Sequence, residues 1–376
     1  MIRAWILLSL FASLSVFAQG VPIPAPPQLG AKSFILMDFS TAHIIAESSA
    51  DEILEPASLT KLMTAYTAFK ALNQGQISLD DQVYVSEKAW RTDGSRMFIE
   101  VDTYVSVEDL LQGMIIQSGN DASVALAEHV AGSEEAFAGL MNQYAEILGM
   151  TSSSFRNSTG LPEVGHYMTA RDSAILARAI IAEFPNYYAW YSQRDFMYNE
   201  IRQDNRNSLL WRDPSVDGLK TGYTEVAGYC LVTSAKRSDM RLISVVMGAD
   251  SAAARAEESQ SLLNYGFRFY ETYKLYSGGE EITAERAWKG EPQTVALGLA
   301  DDLYLTIPRG SYDSLSTTLD LDIELIAPLE ASASVGSVRV LLDDESVSEV
   351  PLVVLHDVSE ANLWTQLKDE IMLWLQ

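Results

Sequence analysis

The sequence predicts an α/β domain on a largely antiparallel sheet, then a small all-β sandwich, then a terminal amphipathic helix. Three observations carry this. Strand-like runs stand near both ends of residues 32–277, with helical apolar spacing between them. From about Ser277–Ile282 to residue 357 the texture changes to short apolar runs separated by Gly, Pro, Ser and Asp. Residues 360–376, "EANLWTQLKDEIMLWLQ", put Leu363, Leu367, Ile371, Trp374 and Leu375 on one helical stripe, with Lys368, Asp369 and Glu370 largely opposite.

The elements follow in order. The chain opens "MIRAWILLSLFASLSVFAQG": a charge at Arg3, an apolar run Trp5–Phe17 and a small residue at Ala18. Residues 1–18 read as a secretory signal peptide, a retained anchor being the alternative. Residues 19–31 include "VPIPAPPQLG", an extended lead-in. "SFILMDFSTAHIIAES" breaks at Asp38–Thr41 and reads as a hairpin. A helix starts near Ser58, with Leu59, Leu62, Met63, Tyr66 and Phe69 at helical spacing. Helical pattern returns from Val107 to about Gly132, broken at "SGND", and again in "EEAFAGLMNQYAEILGM" and "TARDSAILARAIIAEF". "VDGLKTGYT" leads into the strand-like "GYCLVTSAKR" and "RLISVVMGA", and a further helix is expected over about Glu257–Tyr273. Beyond it, "VALGL", "LYLTI", "LDLDIEL", "VRVLL" and "PLVVL" read as the strands of the sandwich.

Composition narrows the function. A length of 376 residues fits two or three domains, and 48% hydrophobic content supplies cores. The net charge of −25 argues against a nucleic-acid partner. With Cys230 as the single cysteine, no internal disulfide is available despite the expected export, and the thiol reads as packed and inert. The histidines, His43, His129, His166 and His356, lack metal-ligand spacing, and neither H-E-x-x-H nor G-x-S-x-G occurs. No metal or other cofactor is expected.

Three short motifs point to chemistry. In "EPASLTKLMT" Ser58 precedes Lys61 by three residues, which puts hydroxyl and amine on one helical face, one turn apart. Alone this is a capped helix with a lysine. "SGN", Ser118-Gly119-Asn120, falls at a helix junction, and "KTG", Lys220-Thr221-Gly222, at the start of an edge strand. In the order S-x-x-K, S-x-N, K-T-G they form the set found in penicillin-binding proteins and class A β-lactamases.

The likeness extends beyond the motifs. "PASLTK", "QSGNDA", "GLMN", "MRLIS.VMG", "LTIPRG" and "PLVVL" resemble the serine D-alanyl-D-alanine carboxypeptidases of the penicillin-binding protein 5 and 6 type, from about Lys32 to the C-terminus. The resemblance implies a penicillin-binding, transpeptidase-like domain over residues 32–277 and an all-β domain over residues 282–357. It implies a peptidoglycan stem peptide ending in D-Ala-D-Ala as substrate, β-lactam antibiotics as covalent ligands, and an acyl-enzyme on Ser58. It assigns Lys61 as base, and Ser118, Asn120 and Lys220 as the proton-relay and positioning groups. The backbone N–H groups of Ser58 and Tyr223 would form the oxyanion hole, on a strand Lys220-Thr221-Gly222-Tyr223 that pairs with substrate. Thr221, Arg206 and Arg255 are its candidates for the terminal carboxylate, a structural ion pair being the other reading of each arginine. Asp172 either supports the site or is a helix N-terminal charge.

A serine is a weak nucleophile until activated, and a lysine is a base only when neutral. Burial and a second cation, for which Lys220 is the candidate, would lower the pKa of Lys61. The chain departs from the enteric relative in carrying Tyr223 where that protein has histidine, and in a shorter "RTDGSR" loop between Trp90 and Met97. The alternatives are a D,D-endopeptidase on the same fold, a β-lactamase, and a silent peptidoglycan-binding scaffold. The glycine at position 119 and the lack of an E-x-x-L-N segment count against the β-lactamase. The tail is too short and too charged to span a bilayer and fits an interfacial helix. The expected location is the periplasmic side of the inner membrane.

Overall fold

The computed structural model describes residues 23–375. The expected signal peptide lies outside the described residues. A five-stranded, wholly antiparallel sheet orders Ile44–Ser48, Ser33–Asp38, Met240–Ala249, Gly228–Arg237 and Val216–Thr224 from edge to edge. Alternation along each strand divides the sheet between two cores. Ile35, Met37, Ile243 and Val245 join a large helical cluster on one face, while Phe34, Leu36, Leu242 and Val246 meet Leu262 and Leu263 on the other. Burial on both faces is why "SFILMD" reads as a continuous apolar run.

The helix Thr60–Asn73 runs through the larger core with Leu62, Met63, Tyr66 and Phe69 buried. Around it stand Val107–Ile116, Asn120–Ala131, Glu134–Ile147 and Ala170–Glu183. Ser106, Ser133 and Thr169 cap three of these, each accepting an N–H three residues on.

Four expectations are corrected. The late helix is Ala252–Phe269, capped by Ser251, and it stops short of Tyr273. Tyr270–Tyr276 is instead a strand paired with Leu303–Pro308, half-burying every residue but Lys274. The K-T-G strand begins at Val216, so Lys220 sits mid-strand and not at its start. In "LDLDIEL" the strand, Leu315–Leu321, ends early, and Leu319, Leu321 and Ile323 face solvent. It is the edge of its sheet, and these side chains are left uncovered there.

The C-terminal unit is a second five-stranded antiparallel sheet, Glu281–Arg286, Thr294–Gly298, Glu345–Val354, Ser334–Leu342 and Leu315–Leu321, sharing one core with the Tyr270–Tyr276 and Leu303–Pro308 pair. The junction with the first domain is polar and tight. Asp38 is wholly buried, accepts Thr41 Oγ1 at 3.0 Å and Thr272 Oγ1 at 2.7 Å, and Thr41 Oγ1 lies 2.7 Å from Thr306 Oγ1.

The terminal helix, Leu363–Trp374, begins at an Asn362 cap. It docks on the β domain through Asp369, which is fully buried and accepts Arg286 Nη2 and Lys289 N at 2.7 Å each. Its apolar residues point away, Trp364 82% and Trp374 85% exposed, with Leu363, Leu367 and Ile371 on the same side. Among the described residues no helix is long and apolar enough to cross a membrane.

Candidate active site

The three motifs converge. A cleft of about 670 Å³ is lined by Ser58, Ser118, Asn120, Arg206, Thr221, Gly222, Tyr223 and Arg255, among others. Ser58 stands in a 3-10 turn, Ala57–Leu59, that leads into the buried helix. Ala57 before it has φ +48°, and Ser118 at the helix junction has φ +70°. Non-glycine residues in this region cost about 1–3 kcal/mol each, and such strain gathers where geometry is functional.

Lys61 lies beneath Ser58 and is buried. Its Nζ is 3.0 Å from Ser58 Oγ, 2.6 Å from Asn120 Oδ1 and 2.7 Å from Thr159 O. Asn120 Nδ2 donates to Asp93 O at 2.6 Å, which fixes its amide and leaves Oδ1 for the lysine. Burial pushes the Lys61 amine down to about 7, and the Arg206 guanidinium pushes in the same direction. Arg206 is thus a cation acting on Lys61 that the sequence did not suggest, and Lys61 and Lys220 also repel each other. Lys220 is buried too and donates to Ser118 Oγ at 2.9 Å and Thr221 O at 3.1 Å. Burial, then Lys61, Arg206 and Arg255, hold it well below the usual lysine range.

Neither arginine is ion-paired among the described residues. Arg206 Nε donates to Gln117 O at 3.0 Å, and Arg255 Nη1 donates to Gly222 O at 3.0 Å and Cys230 O at 3.4 Å. An exposed guanidinium, Arg206, and a half-buried one, Arg255, both satisfied only by carbonyls, stand beside two buried lysines and make this cleft electropositive in an acidic protein. Gly222 lets the strand approach Ser58, since a Cβ there would sit 3.1 Å from Pro56 O and 3.2 Å from Ser58 N. Tyr223 stacks on Tyr229 with centroids 4.3 Å apart.

The chain belongs to the D-alanyl-D-alanine carboxypeptidase family. The model of that family matches residues 21–251, and that of the penicillin-binding protein 5 C-terminal domain matches residues 270–360. The chain is 43% identical to D-alanyl-D-alanine carboxypeptidase DacC of Escherichia coli, over 97% of this chain and 93% of the relative. It is 35% identical to DacF of Bacillus subtilis, over 92% and 90%. Penicillin binding protein 5 from Haemophilus influenzae superposes with a TM-score of 0.86 at 42% identity, covering 90% of this chain and all of that one. Penicillin-binding protein D2 from Listeria monocytogenes, solved in ampicillin-bound form, superposes at 0.60 with 29% identity over 65% of this chain. The fold is therefore the family's penicillin-binding, transpeptidase-like domain followed by its C-terminal β domain.

Within this carboxypeptidase framework two groups escaped the sequence reading. Thr159, whose carbonyl holds Lys61, belongs to "NSTG", which alone reads only as a turn. Asn157 Oδ1 accepts from Thr159 N, Thr159 Oγ1 and Gly160 N and shapes that turn. His166 is buried, its Nε2 2.8 Å from Thr60 Oγ1, and burial holds it down at about 4. The "RTDGSR" loop does reach the site, through Asp93 O and through Ser95 O, which accepts Asn120 N. Asp172 does not. It is a buried first-turn residue accepting Ser152 N and Ser153 Oγ. Cys230 is buried with its thiol pushed up to about 11, away from reactivity.

Proposed function

We infer that this chain is a serine D-Ala-D-Ala carboxypeptidase that removes the terminal D-alanine from peptidoglycan stem pentapeptides. The observation that carries the reading is the environment of Lys61. A neutral amine has two N–H donors and one lone pair. Asn120 Oδ1 and Thr159 O take the two donors, so the lone pair faces Ser58 Oγ. With the amine brought down to about 7, this is a base aimed at its nucleophile.

The steps follow. Ser58 gives its proton to Lys61, and Oγ attacks the carbonyl carbon of the penultimate D-alanine. The backbone N–H groups of Ser58 and Tyr223 receive the oxyanion. The leaving amine takes its proton through Ser118, whose hydroxyl Lys220 holds, and the C–N bond breaks to release D-alanine. Arg255, Arg206 and Thr221 receive the substrate's terminal carboxylate. Water then attacks the ester, its proton returns to the base, and Ser58 is restored. A β-lactam enters the same path and stops at the acyl-enzyme; the Listeria relative binds ampicillin and cefotaxime. Free D-alanine release from an acyl-D-Ala-D-Ala peptide tests the reading. Release by Ser58→Ala protein, or a penicillin adduct on it, overturns it.

The enzyme works on the periplasmic side of the inner membrane, exported by residues 1–18 and held by residues 360–376. Supporting this is the outward stripe of Leu363, Trp364, Leu367, Ile371 and Trp374. The tail is acidic on balance, so apolar insertion supplies the binding. High-salt fractionation tests it: the full chain stays with membranes, a chain ending near Ser359 does not, and a wholly soluble full chain rejects the anchor.

A further inference from the structure

The edge strand Leu315–Leu321 of the β domain pairs with Ser334–Leu342 on one side and has no neighbour on the other among the described residues. Just beyond its two ends, Asp322 N donates to Val335 O and Asp343 N donates to Ser314 O. Both bonds keep the register that sets Leu315 against Leu342 and Leu321 against Gly336. In an antiparallel ladder the backbone groups alternate in direction, so the even-numbered residues turn theirs toward Ser334–Leu342. The N–H and C=O groups of Leu315, Thr317, Leu319 and Leu321 therefore point outward. Such a row of open donors and acceptors is a template for one more strand.

The side chains decide what fits. Leu319 stands opposite Val338, a wholly buried member of the β-domain core, yet Leu319 and Leu321 are 39% and 43% exposed. Asp320, Asp322 and Glu324 alternate with these apolar residues and are exposed. From Gly310 to Val350 the sequence has Arg339 as its only basic residue against nine acidic ones. Arg339 is already shared between Asp320 at 3.2 Å and Glu349 at 3.5 Å.

We propose that this edge docks an extended segment of a partner protein, added as an antiparallel sixth strand whose residues alternate between apolar and basic. Every pair within this sheet is already antiparallel. The partner's apolar side chains cover Leu319 and Leu321 and extend the core face, and its basic ones meet Asp320 and Asp322. A second copy of this chain does not fit, because edge-to-edge pairing sets carboxylates against carboxylates. Charge of one sign thus guards the edge against itself while selecting a basic strand.

The test is fluorescence anisotropy of labelled Ac-KVKVKVKVK-NH2 with the full chain, at low and physiological salt. We expect saturable binding, and binding about tenfold weaker for the block peptide of equal composition, Ac-KKKKKVVVV-NH2. Antiparallel addition sets each valine against a leucine in a hydrogen-bonded pair, so the valine N–H groups face the edge. Backbone N-methylation of the valines should abolish binding, and N-methylation of the lysines should leave it within about threefold. Leu319→Pro removes one outward N–H and no ladder bond, so affinity should fall about tenfold while Tm and acylation by benzylpenicillin hold. Asp320→Asn combined with Asp322→Asn should weaken binding and flatten its salt dependence. Failure of the alternating peptide to bind, equal binding of the block peptide, or equal losses from the two N-methylated peptides overturns the proposal. The methylated peptides decide the matter even where Leu319→Pro fails to fold.

Discussion

Replacing Arg206 by glutamine should move the pH profile of acylation. An ordinary lysine, near 10.4, is neutral at pH 7 in about one molecule in a few thousand. Lys61, at about 7, is neutral in about half. The gain in free base is about a thousandfold, partly offset because the less basic amine takes the proton less readily. Burial is the larger cause and Arg206 the next. In wild type, acylation by benzylpenicillin should rise about tenfold per pH unit below 7 and level off above it. In Arg206→Gln the cation is gone and the burial remains, so the rising limb should shift to higher pH while Lys61 stays below the ordinary range. Acyl-enzyme formation followed by intact mass from pH 5 to 10 reads this directly. The plateau height reports carboxylate binding by Arg206, and the limb reports Lys61, so the two effects separate. A wild-type limb centred near 10, or one that Arg206→Gln leaves in place, refutes the argument.

Three further outcomes are expected. Gly222→Ala puts a methyl group against Pro56 O and Ser58 N, and should slow acylation about 100-fold by displacing the oxyanion donors, with little change in Tm. Cys230→Ala should retain D-alanine release at a cost of about 1 kcal/mol in stability, because its thiol is buried and protonated; lost turnover in a protein that melts normally contradicts this. His166 is held at about 4 in the fold and near 6.5 unfolded, so the unfolded chain binds its proton first as pH drops. Stability should be lost as pH falls from 6.5 to 4, by up to about 3 kcal/mol, and His166→Gln should flatten that part of the Tm profile.

Much of this protein was legible in its sequence, for identifiable reasons. The hairpin at Ser33–Ser48 and the helix after Ser58 could be read because burial imposes a period on local sequence. The motif residues could be read because their order is distinctive. What could not be read is long-range. Thr159 reaches Lys61 with its carbonyl, across 98 positions, and a main-chain atom leaves no mark in residue type. The effect of Arg206 on Lys61 is likewise not visible in the sequence, because distances between distant side chains are set by packing alone. The first half of the Tyr270–Tyr276 strand, to Tyr273, reads as helix because it continues a helical run with no Gly or Pro at the junction to stop it. The exposed leucines of the Leu315–Leu321 edge show the converse: alternation records a strand's pleat, and only the neighbouring layer decides whether either face is covered.

The threonine cluster around Asp38 has a mechanical consequence. Hydroxyls from the first hairpin and from a strand of the β domain converge on one carboxylate with no exposure to water. A bend at the junction would strip that charge of its donors, and a buried carboxylate without partners is among the costliest states a protein can enter. A bend that separates these groups is therefore opposed, and the two lobes are coupled through this carboxylate. With the helix seated in a bilayer as proposed, this coupling would pass the anchor's restraint on to the catalytic lobe.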